Sequence, residues 1–136
     1  MKILIEAQRI FRRQKHGMDF VALELIRQLQ QLDHDNEYYI LVAPGEDRCL
    51  ISAERFQVLE IKCPFYPFWE QIALPQAIRK IKPDIVHCTS NTAPLHCSCP
   101  LVLTLHDIIF MGKKPRGNSS RYQNFGWYYR RFIVPR

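Results

Sequence analysis

The chain lacks a long hydrophobic run. Of its 136 residues 47% are apolar, yet no apolar stretch approaches the ~20 residues that a helix needs to span a bilayer. The opening run Ile3-Leu4-Ile5 is also too short for the core of a signal peptide. We therefore expect a cytoplasmic protein, and a chain of this length is sufficient for one domain and not for two.

The chain also lacks the spacing of a metal site. It has five cysteines but no C-x2-C pair, which is the commonest element of a zinc site. His87, Cys88, His96, Cys97 and Cys99 cluster in sequence, but their spacing matches none of the usual zinc patterns. An odd number of cysteines without an export signal predicts reduced thiols. The sequence therefore predicts neither a metal nor another bound cofactor.

Several common catalytic signatures are missing as well. The sequence contains no Ser-His-Asp order, no P-loop and no evident pair of carboxylates. It has no dinucleotide fingerprint either, because Gly17 stands alone before a predicted helix. These absences exclude the function classes that such motifs indicate.

Acidic residues are the minority among the charged side chains. Lysine and arginine number 19 against 13 aspartates and glutamates, which gives a formal net charge of +6. Such an excess favours anionic partners, namely phosphates, acidic lipid headgroups or nucleic acid. Composition does not decide among the three.

The chain does contain short apolar runs that alternate with helical patterns. This alternation predicts an α/β fold, an open parallel Rossmann-like sheet with helices on both faces. Pro75, inside the second helix, predicts either a kink or a regular helix that begins only near it. No strand remains to follow the third helix, so we expect an incomplete domain. The predicted strands are Lys2–Ala7, Glu37–Ala43, Phe56–Ile61, Asp84–His87 and Leu101–His106, and the predicted helices are Met18–Leu32, Phe68–Ile81 and Ser119–Val134.

Polar residues follow the fourth and fifth strands. In open α/β sheets, ligands bind beyond the carboxyl ends of the strands, where Thr89-Ser90-Asn91 and His106-Asp107 would lie. The hydroxyl and amide groups can bind a ligand or satisfy loop backbone groups. His106 can donate to a sugar hydroxyl or a phosphate, shuttle a proton, or simply bond a neighbouring loop. His87 has the same alternatives, and the structural one is favoured.

His16 and Gly17 directly precede the first predicted helix, after a basic loop that contains Arg12. The unpaired N–H groups of a helix start attract anions, so this segment is either an anion site or a plain turn. An aromatic-rich segment leads into the second predicted helix and includes Trp69 and Glu70. Its rings and carboxylate can stack on and hydrogen-bond a sugar, or its residues can pack in the core.

The third predicted helix is rich in aromatic residues between Tyr122 and Tyr129, and arginines flank this stretch at 121, 130 and 131. Such a helix can bind nucleic acid or a membrane face. Packing of an amphipathic helix is the simpler explanation of the pattern.

Taken together, these residues resemble the N-terminal domain of family-4 (group 1) glycosyltransferases with the GT-B fold. The resemblance covers essentially the whole chain, and it depends on the order and spacing of several stretches. These are Met1–Ile5, His16-Gly17 with the helix from Asp19 to Leu29, Pro67–Gln71, Asp84–Asn91 and Leu101–Phe110.

The resemblance implies a two-domain enzyme in which residues 1–136 are the acceptor-side domain, truncated, and the C-terminal donor-binding domain is absent. It implies retaining transfer from a nucleotide sugar to a glycan or lipid-linked acceptor, without a metal. His16 and Gly17 would lie near the donor phosphates, and His106 would be the catalytic histidine that approaches the transferred sugar. The predicted acceptor- or substrate-binding residues are Arg12, Trp69, Glu70, Thr89, Ser90, Asn91 and Asp107.

Two other interpretations compete with this one. The chain can be a stand-alone flavodoxin-like module that binds a phosphate or nucleotide, or a basic nucleic-acid-binding protein. We favour the glycosyltransferase, expect no nucleic-acid partner, and predict that the fragment alone transfers no sugar. The basic surface is compatible with peripheral contact to an anionic membrane face. An unpaired fifth strand would also present an edge through which copies can associate.

Overall fold

A computed structural model of the chain describes residues 1–112 and 121–134, apart from the side chains of residues 122–124. The strands are β1 (Lys2–Glu6), β2 (Glu37–Val42), β3 (Phe56–Glu60), β4 (Ile85–Cys88) and β5 (Leu101–Leu103). The helices are α1 (Gly17–Leu32), α2 (Tyr66–Phe68), α3 (Leu74–Ile81) and α4 (Arg121–Ile133), with a π-helical segment at Trp69–Ala73 and a 3₁₀ turn at Ile109–Met111. The predicted start of the third helix at Ser119 lies outside the described residues.

The five strands form one parallel sheet in the order β3-β2-β1-β4-β5. The chain moves outward from β1 through β2 to β3, then returns to the other side of β1 to form β4 and β5. The strand order therefore reverses between β1 and β4, and such switch points open a crevice at the carboxyl ends of the strands. The predicted α/β, Rossmann-like fold is confirmed.

Two hydrophobic cores cover the two faces of the sheet. On one face, Ile5 and Ile40 pack with Ile26 of α1. On the other face, Leu4 and Val86 pack with helical residues, among them Trp69, Leu74 and Ile78. Successive strand residues point to opposite faces, so Ile5 belongs to the first core, whereas Leu4 and Glu6 belong to the side of the second. Helices thus lie on both faces, as predicted.

Helical turns continue from Tyr66 to Ile81, with a π-helical segment in the middle. The N–H of Leu74 bonds to the carbonyl of Trp69, five residues earlier. Regular α-helix resumes at Leu74, next to Pro75, so the regular part does begin near the proline. π-Helical segments are frequent at functional sites, and this one carries Trp69 and Glu70.

β5 is shorter than predicted and ends at Leu103 instead of His106. Thr104 and His106 turn to the loop after β4: the Asn91 N–H donates to the Thr104 carbonyl, and the His106 N–H donates to the Asn91 side chain. β5 is also partly exposed, because it lies at the edge of the sheet, and Val102 is 46% exposed there. Within the described residues, no helix is long and apolar enough to cross a membrane.

Candidate functional site

Asn91 organises the loop that follows β4. Its φ of 61° is left-handed, a conformation that asparagine tolerates better than most residues. The side-chain oxygen accepts the backbone N–H of His106 at 2.5 Å, and the amide nitrogen lies 3.3 Å from the Asp107 carboxylate. The structure thus brings together three of the predicted site residues, Asn91, His106 and Asp107.

The imidazole of His106 is held by the same loop. Its Nε2 lies 2.8 Å from the backbone carbonyl of Thr89. A carbonyl only accepts hydrogen bonds, so Nε2 carries a proton and Nδ1 is the nitrogen left for other partners. The Thr89 hydroxyl in turn donates to the Glu6 carbonyl at 2.8 Å. The hydroxyl and the backbone carbonyl of Thr89 therefore connect β1, the end of β4 and the loop that carries His106.

His87 has a structural environment. A 2.7 Å hydrogen bond joins its Nε2 to the Thr104 hydroxyl, and burial lowers the pKa of the imidazole below its ordinary value. Since a lowered pKa favours the neutral ring, His87 ties β4 to the segment after β5 without adding charge to the sheet edge.

The basic loop after β1 folds around Asp19, which is buried in the first turn of α1. Its carboxylate accepts the Arg12 Nε at 2.7 Å and the His16 N–H at 2.7 Å, and Arg9 Nε lies 3.3 Å away. Asp19 therefore neutralises part of the positive charge at this helix start. His16 and Gly17 themselves are exposed, and a Cβ on Gly17 would meet nothing within 4 Å.

Two buried glutamates lie on the second-core side of the sheet, near the switch point. Glu6 ends β1, and its carboxylate accepts the Trp69 Nε1 at 3.2 Å and the Gln8 N–H at 3.0 Å. Desolvation by burial raises the pKa of Glu6, and the negative charge of Glu70 raises it further. Desolvation also raises the pKa of Glu70. The protonated form is thereby favoured at both positions.

Hydroxyl groups surround Glu70. Tyr129 donates to its Oε1 at 2.8 Å, and Thr92 donates to its Oε2. Tyr66 is hydrogen-bonded to Thr92, and burial raises the pKa of both tyrosines. Gln71 donates from Nε2 to Glu70 and to the Tyr129 hydroxyl, both at 3.0 Å. This network fastens α4 to the helical segment 66–81.

A cavity of about 580 Å³ opens above this network, and we call it the aromatic pocket. Its aromatic walls are Phe65, Tyr66, Phe125 and Tyr129. The loops after β1 and β4 contribute Arg9 and Ser90, and α1 contributes Met18 next to Gly17. Arg121 and Arg130 of α4 also line it. Its volume lies within the ~300–1,000 Å³ typical of ligand sites.

The predicted site residues take different places around this pocket. Ser90 lines it. Trp69 and Glu70 are 1% and 2% exposed, and lie behind the wall together with buried Thr89 and Asn91. His106 and Asp107 belong to the adjoining loop, while Arg12, His16 and Gly17 flank the start of α1.

Sequence reasoning missed Glu6, because an isolated acid at a strand end does not show that it is buried. It also missed Arg121 and Arg130 as pocket residues, although arginines at both ends of the aromatic stretch in α4 were a usable signal. Among the described residues, no group of three or more histidines, cysteines, aspartates or glutamates is placed to hold a metal ion. All five cysteines are free thiols.

A parallel sheet with a pocket at its switch point defines a Rossmann-like α/β domain with a candidate ligand site. The family model described as Glycosyltransferase Family 4 matches residues 16–136. The chain therefore belongs to glycosyltransferase family 4, and it corresponds to the N-terminal domain of such an enzyme. Neither the curated proteins nor the solved structures include a significant match to it.

Proposed function

We propose that the chain is the acceptor-side half of a retaining glycosyltransferase that moves a sugar from a nucleotide sugar to a glycan or lipid-linked acceptor. The family match supports sugar transfer in general. The observation that supports an acceptor role most directly is the aromatic pocket at the switch point. Flat aromatic rings beside hydroxyl groups suit a sugar, since the rings contact its C–H faces and the hydroxyls bond its polar edge.

Within this proposal, His106 approaches the transferred sugar. Its ring is already oriented by the bond from Nε2 to the Thr89 carbonyl, which leaves Nδ1 for a substrate oxygen. In a longer product that transfers sugar, we expect His106→Gln to lower kcat strongly with little change in the melting temperature, because glutamine can still donate to that carbonyl. A loss of transfer matched by a loss of folded protein would instead indicate a purely structural histidine.

The donor phosphates are proposed to lie near His16 and Gly17. The helix start offers backbone N–H groups. Apart from the adjacent residues and the backbone of its own helix, a Cβ built at Gly17 would meet no described atom within 4 Å, so a phosphate has room to approach. Asp19 already accepts the His16 N–H. The attraction therefore depends on the remaining N–H groups of the first turn and on the arginines of the preceding loop.

The other wall of the cleft is proposed to come from a second α/β domain that grips the donor. The test is sugar transfer from a panel of radiolabelled nucleotide sugars, assayed with the 136-residue chain and with the product of a reading frame extended beyond Arg136. We expect transfer only by a product that includes a second α/β half. Transfer by residues 1–136 alone would refute the two-domain proposal.

The same panel separates the competing functions. A stand-alone nucleotide-binding module would bind nucleotides stoichiometrically without any transfer by the longer product. A nucleic-acid-binding protein would bind DNA or RNA with an affinity that falls steeply with salt, because bound lysines and arginines release counterions. We expect neither, since the family match supports sugar transfer.

A further inference from the structure

We infer that the aromatic pocket takes an acceptor that carries an anionic group, a phosphate or a carboxylate, next to an apolar face. This inference rests on the proposed function and names the chemical class of its acceptor. Three arginines line the pocket, namely Arg9, Arg121 and Arg130, and no carboxylate is among the described residues that line it. A cavity with this charge selects against cations and favours anions.

Two of these arginines have no partner among the residues that the structure describes. Arg9 is 3.3 Å from the Asp19 carboxylate, whereas the side chains of Arg121 and Arg130 make no hydrogen bond or ion pair in the part of the chain that the structure describes. The Nε of Arg130 is moreover buried without a partner. A buried guanidinium nitrogen normally has an acceptor, so an external anion would complete this environment.

Arg131, the next residue of α4, does have partners within the protein. Arg131 donates from Nη1 to the carbonyls of Met111 and Gly112, each at 3.1 Å, and its guanidinium lies 5.2 Å from the centre of the Trp127 ring. Arg131 therefore has a structural role. Within the described ranges, Arg121 and Arg130 have no such contacts, and both line the pocket.

The aromatic rings between the arginines indicate that the ligand also has an apolar part. Phe125 lies one helical turn after Arg121, and Tyr129 directly precedes Arg130, so the two cations border an aromatic surface. The rings of Phe125 and Tyr129 stack with their centres 6.2 Å apart. A small inorganic anion would leave this surface wet, whereas a sugar ring or a hydrocarbon chain beside the anion would cover it.

The test measures the equilibrium binding of five probes to the 136-residue chain, monitored by NMR chemical-shift changes. Octyl phosphate represents a lipid-like anion, glucose 1-phosphate a sugar phosphate and glucuronate a sugar carboxylate. Octyl glucoside is the neutral amphiphile and inorganic phosphate the bare anion. We expect at least one of the three organic anions to bind about tenfold more tightly than both reference probes, as a charge-assisted bond to arginine would give. The preferred anion then identifies a lipid or a saccharide source.

Variants connect this preference to the pocket. Arg121→Gln and Arg130→Gln should each weaken binding of the preferred anion severalfold, and Arg130→Lys should restore part of it. Arg79→Gln, an exposed arginine on α3, removes the same charge elsewhere and should leave binding unchanged. Circular dichroism spectra and melting temperatures check that all variants fold.

The inference is overturned if octyl glucoside or inorganic phosphate binds as tightly as the organic anions, or if Arg79→Gln weakens binding as much as Arg130→Gln. Its failure is distinguishable from that of the proposed function. Neutral acceptors used by an active longer product would refute only the anionic class. Arginine-dependent anion binding without any sugar transfer would refute only the glycosyltransferase proposal.

Discussion

At the scale of single residues, Asp19 is the position on which the start of α1 depends most. Its buried carboxylate faces Arg9 and Arg12 and accepts the His16 N–H. We expect Asp19→Asn to lower the free energy of unfolding by about 2 kcal/mol, below the usual cost of breaking a fully buried pair because both arginines are partly exposed. Urea denaturation followed by tryptophan fluorescence measures this loss.

Glu24→Gln is the matched control, since it makes the same chemical change on the same helix. Glu24 is exposed, and its carboxylate lies 3.5 Å from Arg27. An exposed pair of this kind contributes little, so its removal should change the unfolding free energy by less than about 0.5 kcal/mol. Equal effects of the two substitutions would mean that Asp19 has no special role.

Glu6 should make stability depend on pH in a direction opposite to that of an ion-paired carboxylate. Burial raises its pKa above the ordinary value of 4.5, so the folded state holds the proton more tightly than the unfolded chain. The resulting stabilisation is fully present below the unfolded pKa and is lost as pH rises through the higher folded pKa. Glu6→Gln cannot titrate, so the wild type should lose stability relative to this variant as pH rises above 4.5.

The measurement is the difference in unfolding free energy between Glu6→Gln and the wild type across the range from about pH 4 to pH 8. Titrating groups that do not interact with Glu6 are present in both proteins and largely cancel. A difference that is flat with pH would mean that the Glu6 carboxyl titrates alike in the folded and unfolded states.

The residue scale also shows where sequence reasoning stops. The meeting of Asn91, His106 and Asp107 could be predicted from the sequence, because parallel strands place their carboxyl ends at one edge of the sheet. The burial of Glu6 could not be predicted, since it depends on Trp69, which is 63 residues away in sequence. Only the assembled fold brings the indole over the end of β1.

At the scale of elements, the loops after β1 and β2 are packed backbone against backbone. A Cβ on Gly45 would lie 2.2 Å from the Phe11 carbonyl oxygen and 2.5 Å from its carbon. Since backbone atoms cannot move aside as a flexible side chain can, Gly45→Ala should destabilise the protein by about 3 kcal/mol. Thermal unfolding of the purified variant tests this expectation.

Gly17→Ala is the comparison, because its Cβ would enter open space at the first residue of α1. Alanine is the better helix former, so stability should stay the same or rise slightly. A folded Gly17→Ala variant with impaired transfer would therefore support a ligand that approaches this glycine. If Gly45→Ala were as stable as Gly17→Ala, the close contact between the two loops would be refuted.

Most elements could be predicted because each strand is a short apolar run bounded by turn residues and each helix has a 3.6-residue pattern. The π-helical segment could not. It places Glu70 against Thr92 and Tyr129, both of which are far from Glu70 in sequence. Tertiary contacts therefore determine the helix type in this segment. The early end of β5 has the same origin, because Asn91 takes the hydrogen bonds that would extend the strand.

At the scale of the whole molecule, the two edges of the sheet differ. On β3, the outward Val58 N–H donates to the Ser52 hydroxyl at 2.9 Å, so that edge is partly covered. On β5, no described residue pairs with the outer side of the strand, and Val102 is exposed there. An open, apolar edge of this kind is a template for another strand.

We therefore expect the 136-residue chain to associate as its concentration rises, which sedimentation velocity and light scattering can follow. Val102→Lys should keep it monomeric, because a charged side chain on an edge strand opposes pairing with a second copy. Val21→Lys makes the same change at an exposed valine of α1 and should associate like the wild type. A monomeric wild type would refute association through β5, and equal suppression by both lysines would assign the association to net charge. Association through β5 should also be blocked when further strands of the same domain occupy that edge, so a longer product with such strands should remain monomeric without any substitution.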